Sequence, residues 1–328
     1  MPGFGGEKLK SKADEDQPMQ LVKKLKWHTP DFSIQYGKNL AIIGQPMVGK
    51  TILAILLGYF NSEYKSMIRD AGYDKVIEVM DAGILPEIEK IMVLESENNL
   101  LKSLNSGIEK ALLRPFVENK MIEIAPILIP RKEAKLVNGR VISVRREMIE
   151  ELKEQFDQIV KGIVEDEGSN TLFVIDSMSA YKKLLDDKFG LLYEVISKKD
   201  TSVMDGIDTY KQAYYASRNT WWQNLLQSKR AFQGWNVDTY KEKEIPEYYR
   251  KPGEEDYRIE WIAGTSHYLD MEWRIEKFPN GSRMIHILNG RYTPDDMEEH
   301  SFGYPLKSKM GAMPLIESMA EKLLLGEV

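Results

Sequence analysis

Eight consecutive residues carry the most chemistry. Gly44-Gln45-Pro46-Met47-Val48-Gly49-Lys50-Thr51, "GQPMVGKT", fits the pattern G-x-x-x-x-G-K-[ST]. In that spacing the glycines let backbone N–H groups curl around phosphate oxygens. The lysine reaches the β and γ oxygens of a nucleoside triphosphate, and the threonine hydroxyl faces Mg2+. The amides up to Ile52 open a helix whose N-terminus favours anions. Such a loop needs a carboxylate at the end of a neighbouring strand, and Asp176 closes the run "TLFVID". A plainer reading makes Asp176 a cap on whatever follows the strand. Ser177 stands where many ATPases place a water-activating glutamate, so the base must come from elsewhere. "KIMVLESE" offers Glu95 and Glu97 at the tip of another apolar run, beside the loop's own strand. Spacing does not choose between them, and both could be solvated strand-end charges.

The surrounding sequence reads as the elements such a site requires. "NLAIIG" (Asn39 to Gly44) is a short apolar run of the buried-strand kind, and "KTILAILLGYF" after it is apolar all round, as a buried helix is. Met148, Leu152, Phe156, Ile159 and Ile163 recur at helical spacing and lead into the Asp176 strand. The segment Ile129 to Glu147 is rich in Arg and Lys around Asn138-Gly139, a pair suited to a two-residue hairpin turn. This predicts a basic ribbon able to track phosphates, dock on a neighbour or simply be solvated.

Asp208 to Arg230 places Tyr210, Tyr214, Trp221 and Leu225 near one helical face, with Tyr215, Arg218 and Trp222 beside it. Aromatics with interleaved cations can stack single-stranded bases, although such stripes are more often core or subunit interface. Tyr240 to Arg258, dense in charge with two prolines and a glycine, reads as a surface excursion. The four histidines, His28, His267, His286 and His300, have no ligand spacing and read as structural.

Composition narrows the classes. The chain has 328 residues, 42% hydrophobic and 29% charged, enough for one large α/β core or two modest ones in a soluble protein. With no cysteine, thiolate zinc sites, disulfides and thiol nucleophiles are excluded. The net charge of −6 argues against coating duplex DNA through bulk charge, without excluding a local basic groove. No long apolar run or signal-like start is found, so the expectation is no membrane contact and a cytoplasmic location. Residues 1–20 read as a flexible tail, 21–305 as the main domain and 306–328 as a C-terminal helix.

"VLESE" followed by "FVIDS" resembles the RecA-like ATPases. That resemblance implies an α/β core with a mainly parallel twisted sheet, helices on both faces and late antiparallel edge strands. It gives Glu97 the catalytic position and Asp176 the Mg2+ position beside Thr51. "FQGWNVDTYKEKE" resembles the family's next core strand, with Thr239 as γ-phosphate sensor. "HYLDMEWRIEKFPNGSRMIHILNGRYTPDD" resembles its paired late strands, with "PNG" as the turn. In the KaiC, DnaB and phage Sak4-like branches a Lys-x-Arg pair there reaches a neighbour's ATP. Here Asn289-Gly290-Arg291 lacks the lysine, leaving Arg291 as the trans finger, with Arg274 and Lys277 as lesser candidates.

The flavour of a short core with unusual insertions resembles phage or archaeal virus recombination ATPases. The resemblance implies ATP and Mg2+ as ligands, a homo-oligomeric ring, hexameric in this family, or a filament, and single-stranded or double-stranded DNA as partner. A DNA-packaging or translocating motor and a KaiC-like, nucleotide-gated assembly protein remain as alternatives.

Overall fold

A computed structural model describes residues 37–83, 86–96, 100, 107–127, 135–137, 140–142, 146–186, 207–245, 248, 250, 256–290, 301–304, 313 and 316–317. The fold is α/β, built on a mixed, mostly parallel sheet. Its strands are β1 (Asn39–Gly44), β2 (Lys90–Glu95), β3 (Ile122–Pro126), β6 (Thr171–Asp176), β7 (Trp235–Glu244), β8 (Tyr257–Ile259), β9 (Met271–Lys277), β10 (Arg283–Gly290) and β11 (Ser301–Tyr304). They lie in the order β11-β10-β9-β1-β7-β6-β2-β3, with β8 pairing on β7. The six strands from β9 to β3 run parallel, whereas β10 and β11 add antiparallel pairs at one edge and β8 folds back on β7.

The parallel strands are buried on both faces, which is why they read as unbroken apolar runs. One face, bearing Leu40, Ile42, Val174, Val237 and Trp273, packs under α1 (Lys50–Leu56), α2 (Lys65–Asp70), α3 (Asp74–Ala82) and α4 (Gly107–Glu118). The other face, bearing Ala41, Ile43, Phe173, Ile175 and Tyr240, packs under α5 (Arg146–Asp166), the helical residues 178–186 and α6 (Ile207–Lys229). In α5 the buried positions Phe156, Val160 and Ile163 keep the expected amphipathic spacing. Met313 and Ile316 are helical and enter the first core, so this part of the C-terminal segment contributes packing.

Three expectations change. The strand of Asp176 and that of Glu95 are not next to β1. β7 intervenes between β1 and β6, and β2 lies beyond β6. In α6 the buried stripe is Trp222, Leu225, Leu226 and Lys229, so it is rotated from the expected face. Trp222 donates its indole N–H to Thr265 Oγ1 at 2.9 Å, while Trp221 and Tyr215 stay exposed. The excursion after Tyr240 is shorter than expected, because Tyr240–Glu244 continue β7 and Tyr257–Ile259 return as β8. The hairpin signal at Asn138-Gly139 is matched by β4 (Lys135–Val137) and β5 (Arg140–Ile142). These pair antiparallel with Val137 opposite Arg140, as a two-residue connection requires.

Candidate functional site

The Gly44–Thr51 loop leaves the carboxyl end of β1 and enters α1. Close approach demands glycine at its start: a Cβ on Gly44 would sit 2.7 Å from the Ile275 carbonyl oxygen on β9. Gly49 takes φ 102, a left-handed conformation that L side chains rarely adopt, and its carbonyl accepts the Leu53 amide at 3.0 Å to begin the helix. Met47 also takes a positive φ of 65, at a cost of about 1–3 kcal/mol. Its side chain is 91% exposed, so only its backbone faces the loop's interior. From β10, Arg283 donates Nε–H to the Val48 carbonyl at 2.7 Å and Nη1 to Gly281 at 3.1 Å, tying the loop to the β9–β10 hairpin.

Lys50 is buried and folds back onto the loop, donating to the carbonyls of Gly44 at 2.9 Å and Gln45 at 2.7 Å. Burial pulls its pKa down to about 8. The carboxylate of Asp176 opposes that shift and the like charge of Lys241 adds to it. Its hydrogen bonds go to two neutral carbonyls, so an anion entering the loop would find a cation to pair with.

Asp176 stands at the tip of β6 as a two-sided acceptor. Its Oδ2 takes the Thr51 hydroxyl at 2.7 Å and its Oδ1 takes the Thr239 hydroxyl at 2.6 Å. Loop, β6 and β7 thus meet at one carboxylate. Both donors are neutral hydroxyls. Ser96 locks the next strand alongside: its amide and hydroxyl both donate to the Asp176 carbonyl, at 2.7 and 2.9 Å, and its Oγ accepts the Ser177 amide at 2.9 Å.

Glu95 lies in register with Asp176 and is fully buried. One of its oxygens accepts the Leu100 amide, and Oε2 has no partner among the described residues. Glu97 and Arg291 lie outside the described residues.

A hard divalent cation fits this donor set. Mg2+ is commonly held by one or two carboxylates together with substrate phosphates and water, and Asp176 with the Thr51 hydroxyl provides the protein's share. Among the described residues no three His, Asp or Glu side chains gather into a complete metal cage.

No protein-family model matches this chain, and no curated protein matches it. The site is therefore read from its own geometry.

The other sequence candidates divide. Arg274 is engaged within the chain, 2.7 Å from Glu242 and over the Tyr257 ring, which makes it a poor group to reach a neighbour. Lys277 is exposed at the end of β9. His286 contacts Glu276 at 3.1 Å, a surface pair, and His28 and His300 lie outside the described residues. Lys153 of α5 lies 3.5 Å from the centroid of the Trp221 ring on α6, and within α6 Arg218 lies 5.0 Å from that of Tyr215. Asp157 holds Lys153, and Asp186 holds Arg218 at 2.8 Å.

Ser96, Arg283 and Lys241 were missed by sequence reasoning. Ser96 lies between two glutamates that drew attention first. A single arginine or lysine in a strand reads as a solvated charge until its register is known.

No helix among the described residues is long and apolar enough to cross a membrane.

Proposed function

We propose that this chain binds Mg-ATP at the Gly44–Thr51 loop and hydrolyses it, as a RecA-like ATPase. The convergence of Thr51 and Thr239 on Asp176, directly beneath a G-x-x-x-x-G-K-T loop, carries the reading. Backbone amides of Gln45 to Ile52 bind the phosphates. Lys50 exchanges the Gly44 and Gln45 carbonyls for β and γ oxygens. Thr51 and Asp176 would hold Mg2+, which would supply positive charge against the negative charge developing on the phosphates.

Glu97 orients or deprotonates water for in-line attack on the γ-phosphate, and the proton leaves with that carboxylate. Glu95, buried and already accepting the Leu100 amide, supports the strand tip from which Glu97 follows. Thr239 fixes the second oxygen of Asp176, so the carboxylate cannot swing as the nucleotide turns over. In a ring or filament, Arg291 serves the neighbouring site.

A coupling to single-stranded DNA is favoured by one observation: Trp221 and Tyr215 present aromatic surface to solvent beside cationic groups. The deciding experiment is steady-state ATPase with no DNA, with single strands and with duplex, using Lys50→Ala as the blank. Stimulation by single strands supports a recombination or annealing ATPase. Preference for duplex supports a packaging or translocating motor, and indifference to both supports a nucleotide-gated assembly protein. Equal activity in wild type and Lys50→Ala overturns the ATPase reading itself.

A further inference from the structure

Glu95 ends β2 in register with Asp176 at the end of β6, and the two strands run parallel. Side chains alternate between faces along a strand. Ile91 and Val93 put the odd-numbered positions of β2 on the face that α1 covers, and Leu172 and Val174 do the same for the even-numbered positions of β6. Glu95 and Asp176 are therefore neighbours on that face, their backbones about 4.8 Å apart.

The two oxygens of Glu95 are treated differently. Oε1 accepts the Leu100 amide, which fixes the carboxylate, whereas Oε2 is buried and has no hydrogen-bond partner among the described residues. A bare acceptor shut away from solvent is destabilising, and a bound water or ion is the usual remedy. The nearby hydroxyls do not supply it. Thr51 and Thr239 donate to the Asp176 carboxylate and Ser96 to the Asp176 carbonyl.

Burial decides what such a group can do. A base for the attacking water has to meet a fresh water at each turnover, and Glu95 has no exposed surface. A support behind the metal needs none. Mg2+ dehydrates reluctantly and keeps several waters, whose hydrogens are taken up by acceptors just beyond the ligands.

Resting on the Mg-ATP reading, we infer that Glu95 is a positioning residue of the metal site: its Oε2 accepts a hydrogen bond from a water on the Mg2+ that Thr51 and Asp176 would hold. Leu100 keeps the carboxylate aligned through Oε1. The metal site then draws on three elements, α1, β6 and β2, and the attacking water is left to Glu97.

The test reads metal binding, not turnover. Mn2+ is titrated into protein saturated with ADP and followed by electron paramagnetic resonance, for wild type, Glu95→Gln, Glu95→Ala and Asp176→Asn. Glu95→Gln should weaken Mn2+ about tenfold or more. Its ADP affinity in EDTA should shift less than about twofold, which shows that the variant is folded. The Leu100 amide holds the Gln carbonyl, so an NH2 group replaces Oε2 while the structural contact survives. Unchanged Mn2+ affinity in Glu95→Gln, with or without a loss in Glu95→Ala, overturns the inference. Should Glu95→Gln lose ADP as well, a crystal structure of wild type with Mg-ADP decides: a metal-bound water within about 3 Å of Oε2 is expected, and its absence overturns the inference. Mn2+ binding that is missing in wild type, or untouched by Asp176→Asn, means instead that the Mg-ATP reading has failed.

Discussion

Asp176 ends β6, and Asp238 lies one step short of it on the adjoining β7, in register with Ile175. The two carboxylates therefore stand on opposite faces of the sheet within one residue of each other, and their surroundings differ. Asp238 is fully buried, both of its oxygens contact the Lys229 ammonium, and Tyr240 donates to it at 3.3 Å. Burial pulls the Lys229 pKa down while Asp238 opposes it, and burial pushes the Tyr240 hydroxyl well up. Among the described residues, the side-chain oxygens of Asp176 take their hydrogen bonds from two hydroxyls, Thr51 and Thr239. A carboxylate neutralised by a buried lysine is complete and structural. One held by two neutral donors is positioned without being neutralised, and remains ready for a cation.

Removing each charge tests that contrast. On the proposed function, Asp176→Asn should lower kcat on the order of a thousandfold, since the charge proposed to hold Mg2+ disappears, while urea denaturation shifts little. A large loss of stability there would erase the distinction. Lys229→Met should leave Asp238 buried and unpaired and cost roughly 3–5 kcal/mol in urea denaturation. Lys229→Met with Asp238→Leu should recover much of that cost, and failure to recover it would show that the pair contributes more than mutual neutralisation.

Smaller effects sharpen the picture. Thr239→Val removes one donor to a charged oxygen, worth about 1.5–3 kcal/mol in such contacts. It should raise the Mg2+ concentration needed for half-maximal turnover about tenfold. An unchanged Mg2+ requirement would return Thr239 to a direct role on the phosphate. Arg283→Ala should weaken ATP and ADP equally, by a few-fold, because the Val48 tie shapes the amides that hold both. A triphosphate-selective loss would instead place the guanidinium on the γ-phosphate.

The sequence made the local elements legible wherever one period dominated. The runs of β1, β2, β6 and β7, the α5 stripe and the Pro279-Asn280-Gly281 turn between β9 and β10 are each encoded within a few neighbouring residues. Strand order is a non-local quantity. Nothing near Asp176 or Gly44 signals that β7, far along the chain, inserts between them. The α6 stripe was misplaced because Trp221 and Trp222 are equally apolar, and only packing against Thr265 and the sheet decides which turns inward. Lys241 was hidden for the same reason as the strand order, since its partner across the sheet is Gly44 and not any neighbour in sequence. Thr239 is singled out through the resemblance, as a phosphate sensor, whereas the structure gives its hydroxyl to Asp176.

The Ser96 contacts have a mechanical consequence. Three hydrogen bonds weld the tips of β2 and β6 into a single block. β7 joins that block through the Thr239 hydroxyl on Asp176 and the Lys241 amide on Ser179 Oγ. The carboxyl ends of the three strands should therefore move as one piece, so that a displacement of the loop at its Thr51 contact with Asp176 is passed on to the tip of β2.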